Sequence, residues 1–282
     1  MLKIKEINLE SKEYPESLRR IYDPPQCLFC IGNLQLLNAR KKLAIIGCRD
    51  YSQYGKIISR KFAYELSKKG IVIVSGGARG IDSFSHEGCI IAKKETIAVL
   101  GNGLDYVYPP ENKKLEEQII KNNGLIISEY KTGTKPSKYT FPARNRIISG
   151  LADGVLVVEA KQKSGTLITV DFALEQGKNI YAIPGDITRT NTKGTNELIK
   201  QGAKIVTNIN DILEDYAWFS IYNILLLSSI LKILTNKQLF LQKAFTFIQI
   251  CNIIVPWNKM NIRRSILWEN KSIKVLNQKV KI

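Results

Sequence analysis

Two stretches decide the fold: Leu43-Ala44-Ile45-Ile46-Gly47-Cys48-Arg49 and Ile71-Val72-Ile73-Val74-Ser75-Gly76-Gly77-Ala78-Arg79-Gly80-Ile81-Asp82. Each is a short apolar, β-branched run that breaks at glycine, and residues 53–69 between them carry a helical pattern. The rhythm recurs along residues 43–206. Further apolar runs lie at Thr96–Leu100, Leu125–Ser128, Val155–Glu159 and Ile180–Ile183, with helical patterns near 82–93, 112–122, 143–151 and 166–176. Uninterrupted runs of four to six apolar residues suit strands buried on both faces, and helices between them imply right-handed crossovers. The sequence therefore predicts an α/β fold: an extended Rossmann-like, mostly parallel sheet flanked by helices. Such sheets bind ligands beyond the carboxyl ends of their strands.

The residues predicted at those ends are chemically distinctive. Gly47 permits a tight turn, helix amides nearby are ready for a phosphate, and Arg49 offers a planar fork for its oxygens. Gly76 and Arg79 lie in the second glycine-rich turn, and Gly101-Asn102-Gly103-Leu104-Asp105 repeats the pattern after the third strand. None of these is a Walker A motif, and none has the full dinucleotide glycine spacing. Each is equally readable as a plain strand-to-helix connection. Phe141-Pro142-Ala143-Arg144-Asn145-Arg146 opens a helix directly after Lys135, Lys138 and Tyr139. Cations beside aromatic rings suit single-stranded nucleic acid, because the cations follow phosphates and the rings stack on bases. The less favoured reading is that the arginines cap or brace the helix while Phe141 packs in the core. Lys163, Ser164 and Gly165 follow the fifth run, where the hydroxyl either caps a helix or bonds a phosphate.

Composition narrows the partner. Among 282 residues, 44% are hydrophobic and 24% charged, which is globular and excludes wholesale disorder. Lysine and arginine number 42 against 25 acids, a net charge of +17 that suits a polyanion. His86 is the only histidine, so sites built on several histidines are excluded. Cys27 and Cys30 have the spacing of a zinc or redox half-site, but no second pair accompanies them, and we expect no metal and no cofactor. Five cysteines, an odd number, and no signal peptide point to the reducing cytoplasm.

The chain changes character near Asp215. All 19 glycines lie between Gly32 and Gly202, whereas residues 216–282 hold ten lysines and arginines against one acid, Glu269. The expected organisation is an N-terminal extension over 1–42, a Rossmann-like DNA-binding domain over 43–215 and an atypical basic, apolar tail over 216–282. Tyr216–Leu231 is uncharged for 16 residues, short of the roughly 20 needed to span a membrane, so a membrane role is not expected.

The chain resembles the DNA-processing protein DprA (Smf) family. The resemblance is carried by Tyr14-Pro15, Leu28-Phe29 with Gly32, Gly47-Cys48-Arg49, Ser75-Gly76 with Ala78 and Gly80-Ile81-Asp82, and His86. It continues through Gly103-Leu104-Asp105, Tyr108-Pro109, Ser128-Glu129, Phe141-Pro142-Ala143-Arg144-Asn145-Arg146-Ile147-Ile148, Val158-Glu159-Ala160, Lys163-Ser164-Gly165 and Pro184-Gly185. It spans about Tyr14 to Asp215. It implies a non-catalytic, dimeric protein that binds single-stranded DNA. Such a protein protects incoming DNA during natural transformation and helps load the recombinase RecA past single-strand-binding protein. It also implies that Arg49 serves a phosphate pocket, with Cys48 where the family has serine, and that Arg144, Arg146 and Lys163 line the same groove. Many members carry a helical domain before the tyrosine-proline motif and a winged helix at the end. Residues 216–282 lack the glycines of a wing turn, and we read them as a degenerate or frame-shifted end. The alternative reading is an enzyme, a nucleotide phosphoribohydrolase of the lysine-decarboxylase-like Rossmann group, loosely suggested by Ser164-Gly165-Thr166 with Glu175.

Overall fold

The computed structural model describes residues 3–216, and the predicted tail over 216–282 lies outside the described residues beyond Tyr216. Nine strands form one sheet: β1 (Lys5–Asn8), β2 (Cys27–Gly32), β3 (Lys42–Ile46), β4 (Val72–Ser75), β5 (Thr96–Leu100), β6 (Leu125–Ser128), β7 (Gly154–Val157), β8 (Asn179–Ala182) and β9 (Lys204–Ile205). Their order is β1-β2-β6-β5-β4-β3-β7-β8-β9. Every pairing from β6 to β9 is parallel, while β1 and β2 are antiparallel to each other and β2 is antiparallel to β6. The mostly parallel Rossmann-like sheet is thus as the apolar runs predicted. Residues before 43 add two antiparallel strands to the same sheet, which the pattern of apolar runs did not anticipate.

The helices that flank the sheet include α1 (Glu16–Arg19), α2 (Gln53–Lys68), α3 (Ile81–Ile91), α4 (Lys113–Lys121), α5 (Thr140–Leu151), α6 (Gly165–Glu175) and α7 (Lys193–Lys200). The residues of β3 are all buried and alternate between two cores. Ala44 and Ile46 join Val99, Ile147, Ile148 and Val170 on the face covered by α5 and α6. Leu43 and Ile45 join Phe62, Leu66, Ile81 and Val158 on the face covered by α2 and α3. That alternation is the period-two geometry of a strand, with both of its faces apolar because helices cover both.

The strand order reverses at β3. From β3 the chain runs through α2 to β4 on one side, whereas β7 pairs with the other side of β3. A crevice at the carboxyl ends follows from this reversal, and the glycine-rich turns and the basic stretches all emerge there.

Candidate nucleic-acid interface

The turns after β3 and β4 are pressed together by their backbones. Ile81 N–H donates to the Cys48 carbonyl at 3.3 Å, and Cys48 N–H donates to the Glu159 carbonyl at 3.0 Å. Gly80 sits at φ +91°, and any Cβ there would collide with the Cys48 carbonyl oxygen, so only glycine closes this junction without strain. Arg49 is left exposed, with its guanidinium 5.2 Å from the centre of the Phe141 ring. Phe141, in the first turn of α5, stacks on Tyr108 at 5.4 Å and 29° and lies against Gly101. The residues after β3 and β5 and the start of α5 thus build one shelf: a cation, a partly buried ring and a second ring that is 41% exposed.

Arg144 and Arg146 are two residues apart on α5 and so point to different sides of the helix. The Arg144 side chain is buried beneath the shelf and donates to the carbonyls of Gly76 and Val99. A Cβ on Gly76 would meet Asp82 Oδ2 at 2.6 Å and Arg144 Nη1 at 2.7 Å. Gly76 is therefore the close approach that lets these two charges flank the turn. Burial lowers the Arg144 pKa to about 10, opposed by Asp82 and reinforced by Arg49, so it remains a cation at neutral pH. Burial raises the Asp82 carboxyl, with the Arg144 charge opposing. Arg146 forks onto Glu129 at 2.8 and 2.7 Å and donates to the Asp23 carbonyl at 2.8 Å. It also pairs with the Asp23 carboxylate at 3.0 Å. Neither guanidinium is offered to solvent. Asn145 between them is half-buried, and its side chain makes no hydrogen bond among the described residues.

Beyond β7, Lys161 pairs with Asp50 at 2.6 Å and ties this end of the sheet to the end of β3. Ser164 caps α6 by accepting from Thr166 N–H at 3.2 Å. Lys163 is exposed, and no atom lies within 4 Å of where a Gly165 Cβ would sit. Lys138 reaches over the Tyr139 ring at 5.1 Å, and Tyr139 is 74% exposed. Arg49, Arg79, Lys131, Lys135, Lys138 and Lys163 are all exposed on segments leaving the carboxyl edge. Two acids on that edge are already engaged: Asp50 by Lys161, and Asp105 by the Gly133 N–H at 3.0 Å. The edge presents positive charge with rings interleaved, which is the layout of a trough for a polyanion.

Two expectations are corrected. Arg144 and Arg146 do not line the groove with their charges, because one guanidinium is turned onto the Gly76 and Val99 carbonyls and the other onto Glu129 and Asp23. The Ser52 amide at the opening of α2 is not waiting for a phosphate, because the carboxylate of buried Glu159 already stands there. Its carboxylate accepts from Ser52 N–H at 3.0 Å and from the Ser52 hydroxyl, and it packs against Gly55, whose N–H is capped by Ser52 Oγ at 3.1 Å. The seat where Rossmann proteins hold a pyrophosphate is filled from within. The readable signal was a glutamate directly ending an apolar strand run, where a buried charge demands a partner.

His86 is wholly buried, and its Nδ1 lies 2.8 Å from Thr96 Oγ1. That hydroxyl donates to the Ile73 carbonyl at 2.7 Å, so Nδ1 carries the proton and Nε2 faces no donor. Burial lowers the His86 pKa to about 3, which keeps the ring neutral. Among the described residues no group of three or more His, Cys, Asp or Glu is placed to hold a metal, and no helix is long and apolar enough to cross a membrane.

Comparison with known proteins points one way. The family model described as DNA recombination-mediator protein A matches residues 5–217. The DNA processing protein DprA of Bacillus subtilis is 45% identical over 212 residues, 75% of this chain and 71% of that protein. The structure of DprA from Streptococcus pneumoniae superposes with a TM-score of 0.72 at 44% identity, covering 75% of this chain and 74% of the other. DNA processing protein A from Helicobacter pylori, described for its single-stranded DNA binding mode, superposes with a TM-score of 0.68 at 35% identity, covering 77% and 98%.

Proposed function

Because the chain belongs to the DNA recombination-mediator protein A (DprA, Smf) family, we propose that it binds single-stranded DNA along the carboxyl edge of its sheet. In this reading it protects incoming DNA and helps load RecA past single-strand-binding protein during transformation and recombination, acting in the cytoplasm as a homodimer. The observation that carries it is the shelf of Arg49 over Phe141, with Phe141 stacked on the exposed Tyr108 ring. Stacking on such rings is worth about 1–3 kcal/mol per base and tolerates any sequence. Duplex bases are already stacked and cannot use it.

Arg49, Arg79, Lys138 and Lys163 supply the phosphate contacts, and Gly47, Gly76 and Gly165 keep the backbone close. Ser164 and Asn145 offer hydrogen bonds at the margins of the trough. Arg144 and Arg146 act from below by holding the turn after β4 and the start of α5 in place. The role is non-catalytic: His86 is held neutral away from solvent, and nucleoside monophosphates should release no free base on incubation with the protein.

A fluorescence-anisotropy titration with single- and double-stranded oligonucleotides across a salt series tests this. We expect preference for the single strand and a log–log salt slope of about −0.7 for each phosphate neutralised. Equal affinity for both forms, or binding insensitive to salt, would overturn it.

A further inference from the structure

A second cluster of cations and rings lies on the α2–α3 face, outside the shelf. Tyr51 follows Arg49 by two residues, is 38% exposed, and sets its ring perpendicular to that of Phe84 at 4.6 Å and 83°. Lys56 Nζ lies 5.2 Å and Arg60 Cζ 5.6 Å from the centre of the same Phe84 ring. The charge of Arg60 is spent on Glu87. Lys56 has no acidic partner among the described residues.

Bracing α2 against α3 accounts for Phe84, which is nearly buried, and for the Arg60–Glu87 pair. It does not account for a tyrosine left over a third exposed in front of Phe84, nor for an ammonium held over that ring without a counterion. A partly exposed ring held in place by a second ring is preorganised for stacking, and a nearby unpaired cation is what a phosphate seeks.

We propose that Tyr51 and Lys56 form a second station for single-stranded nucleic acid, one base stacking on Tyr51 and one phosphate pairing with Lys56. The strand continues from Arg49 onto the start of α2. This rests on the single-strand reading of the carboxyl edge and extends its footprint to a second face. A short strand fills the shelf alone, and only a longer one reaches the station.

The test compares the full chain with Tyr51→Ala, Tyr51→Phe and Lys56→Ala, titrated with oligonucleotides of about 6 and about 20 nucleotides. For the longer strand, Tyr51→Ala should weaken binding by about fivefold or more, and Tyr51→Phe should retain it, because the ring face and not the hydroxyl is used. Lys56→Ala should shorten the salt slope of the longer strand by about 0.7. Neither affinity nor slope should change for the shorter strand. Equal losses at both lengths, or none at either, would overturn the second station while leaving the shelf intact. Wild-type protein that binds neither strand would instead remove the single-strand reading, and the station with it. Lys56→Ala trims one half-buried side chain on the surface of α2 that makes no ion pair among the described residues, so it carries the test even if Tyr51→Ala unfolds.

Discussion

The guanidinium of Arg144 donates to the backbone carbonyl of Gly76 and so fixes the glycine turn after β4 from beneath. A second bond, to Val99, ties that turn to the end of β5. A cation in this position serves the shelf by shaping it. Arg144→Ala should strand two buried carbonyls and cost about 2–5 kcal/mol of stability, measurable by urea denaturation. A variant as stable as wild type would contradict the strut.

Arg49 and Lys163 should behave in the opposite way. Both are exposed, and neither forms an ion pair among the described residues. Alanine at either position should leave stability within about 0.5 kcal/mol. Each should weaken single-strand binding and shorten the salt slope by about 0.7. Affinity unchanged in both folded variants would move the trough elsewhere.

Arg146 holds α5 to the end of β6 through Glu129, with the arginine side chain 10% and the glutamate side chain 15% exposed. Arg146→Ala leaves a nearly buried carboxylate alone and should destabilise by about 3–5 kcal/mol. Replacing both members with apolar residues of similar volume should recover much of that loss, because the remaining charge is then removed as well. A double variant no more stable than the single one would show that the bonds to Asp23 dominate.

Glu116 on α4 supplies a pH dependence. Burial raises its pKa from 4.5 to about 7, and its Oε1 has no hydrogen-bond partner. The folded protein therefore holds this proton more tightly than the unfolded chain does. Its contribution is harmless below pH 4.5, and stability is lost as the pH rises from there to about 7. Glu116→Gln should be more stable than wild type by about 1–3 kcal/mol at pH 8, with little difference near pH 4.5. A gain of equal size at both pH values would mean that ionisation is not the cause.

The parallel strands were legible because burial on two faces leaves an unbroken apolar run, as in Leu43–Ile46 and Thr96–Leu100. β1 was not, since only Ile7 of its four residues is buried and an edge strand needs no more. The identity of the cations at the strand ends was equally plain, but their direction was not. Arg144 and Arg146 read alike in sequence, yet the helical turn sends one under Gly76 and the other to Glu129. Their long-range partners come from residues 17 to 123 positions away, and local pattern carries no trace of such pairings.

Both borders of the sheet are blunt. β9 contributes two residues, and β1 contributes four, of which Lys5 and Glu6 are charged and exposed. Unpaired backbone on a long, flat border is a template for joining chains through amide ladders, and short or charged borders deny it. These two margins therefore disfavour copies of this protein zipping together, which leaves self-association through residues 3–216 to side chains, where single substitutions can tune it.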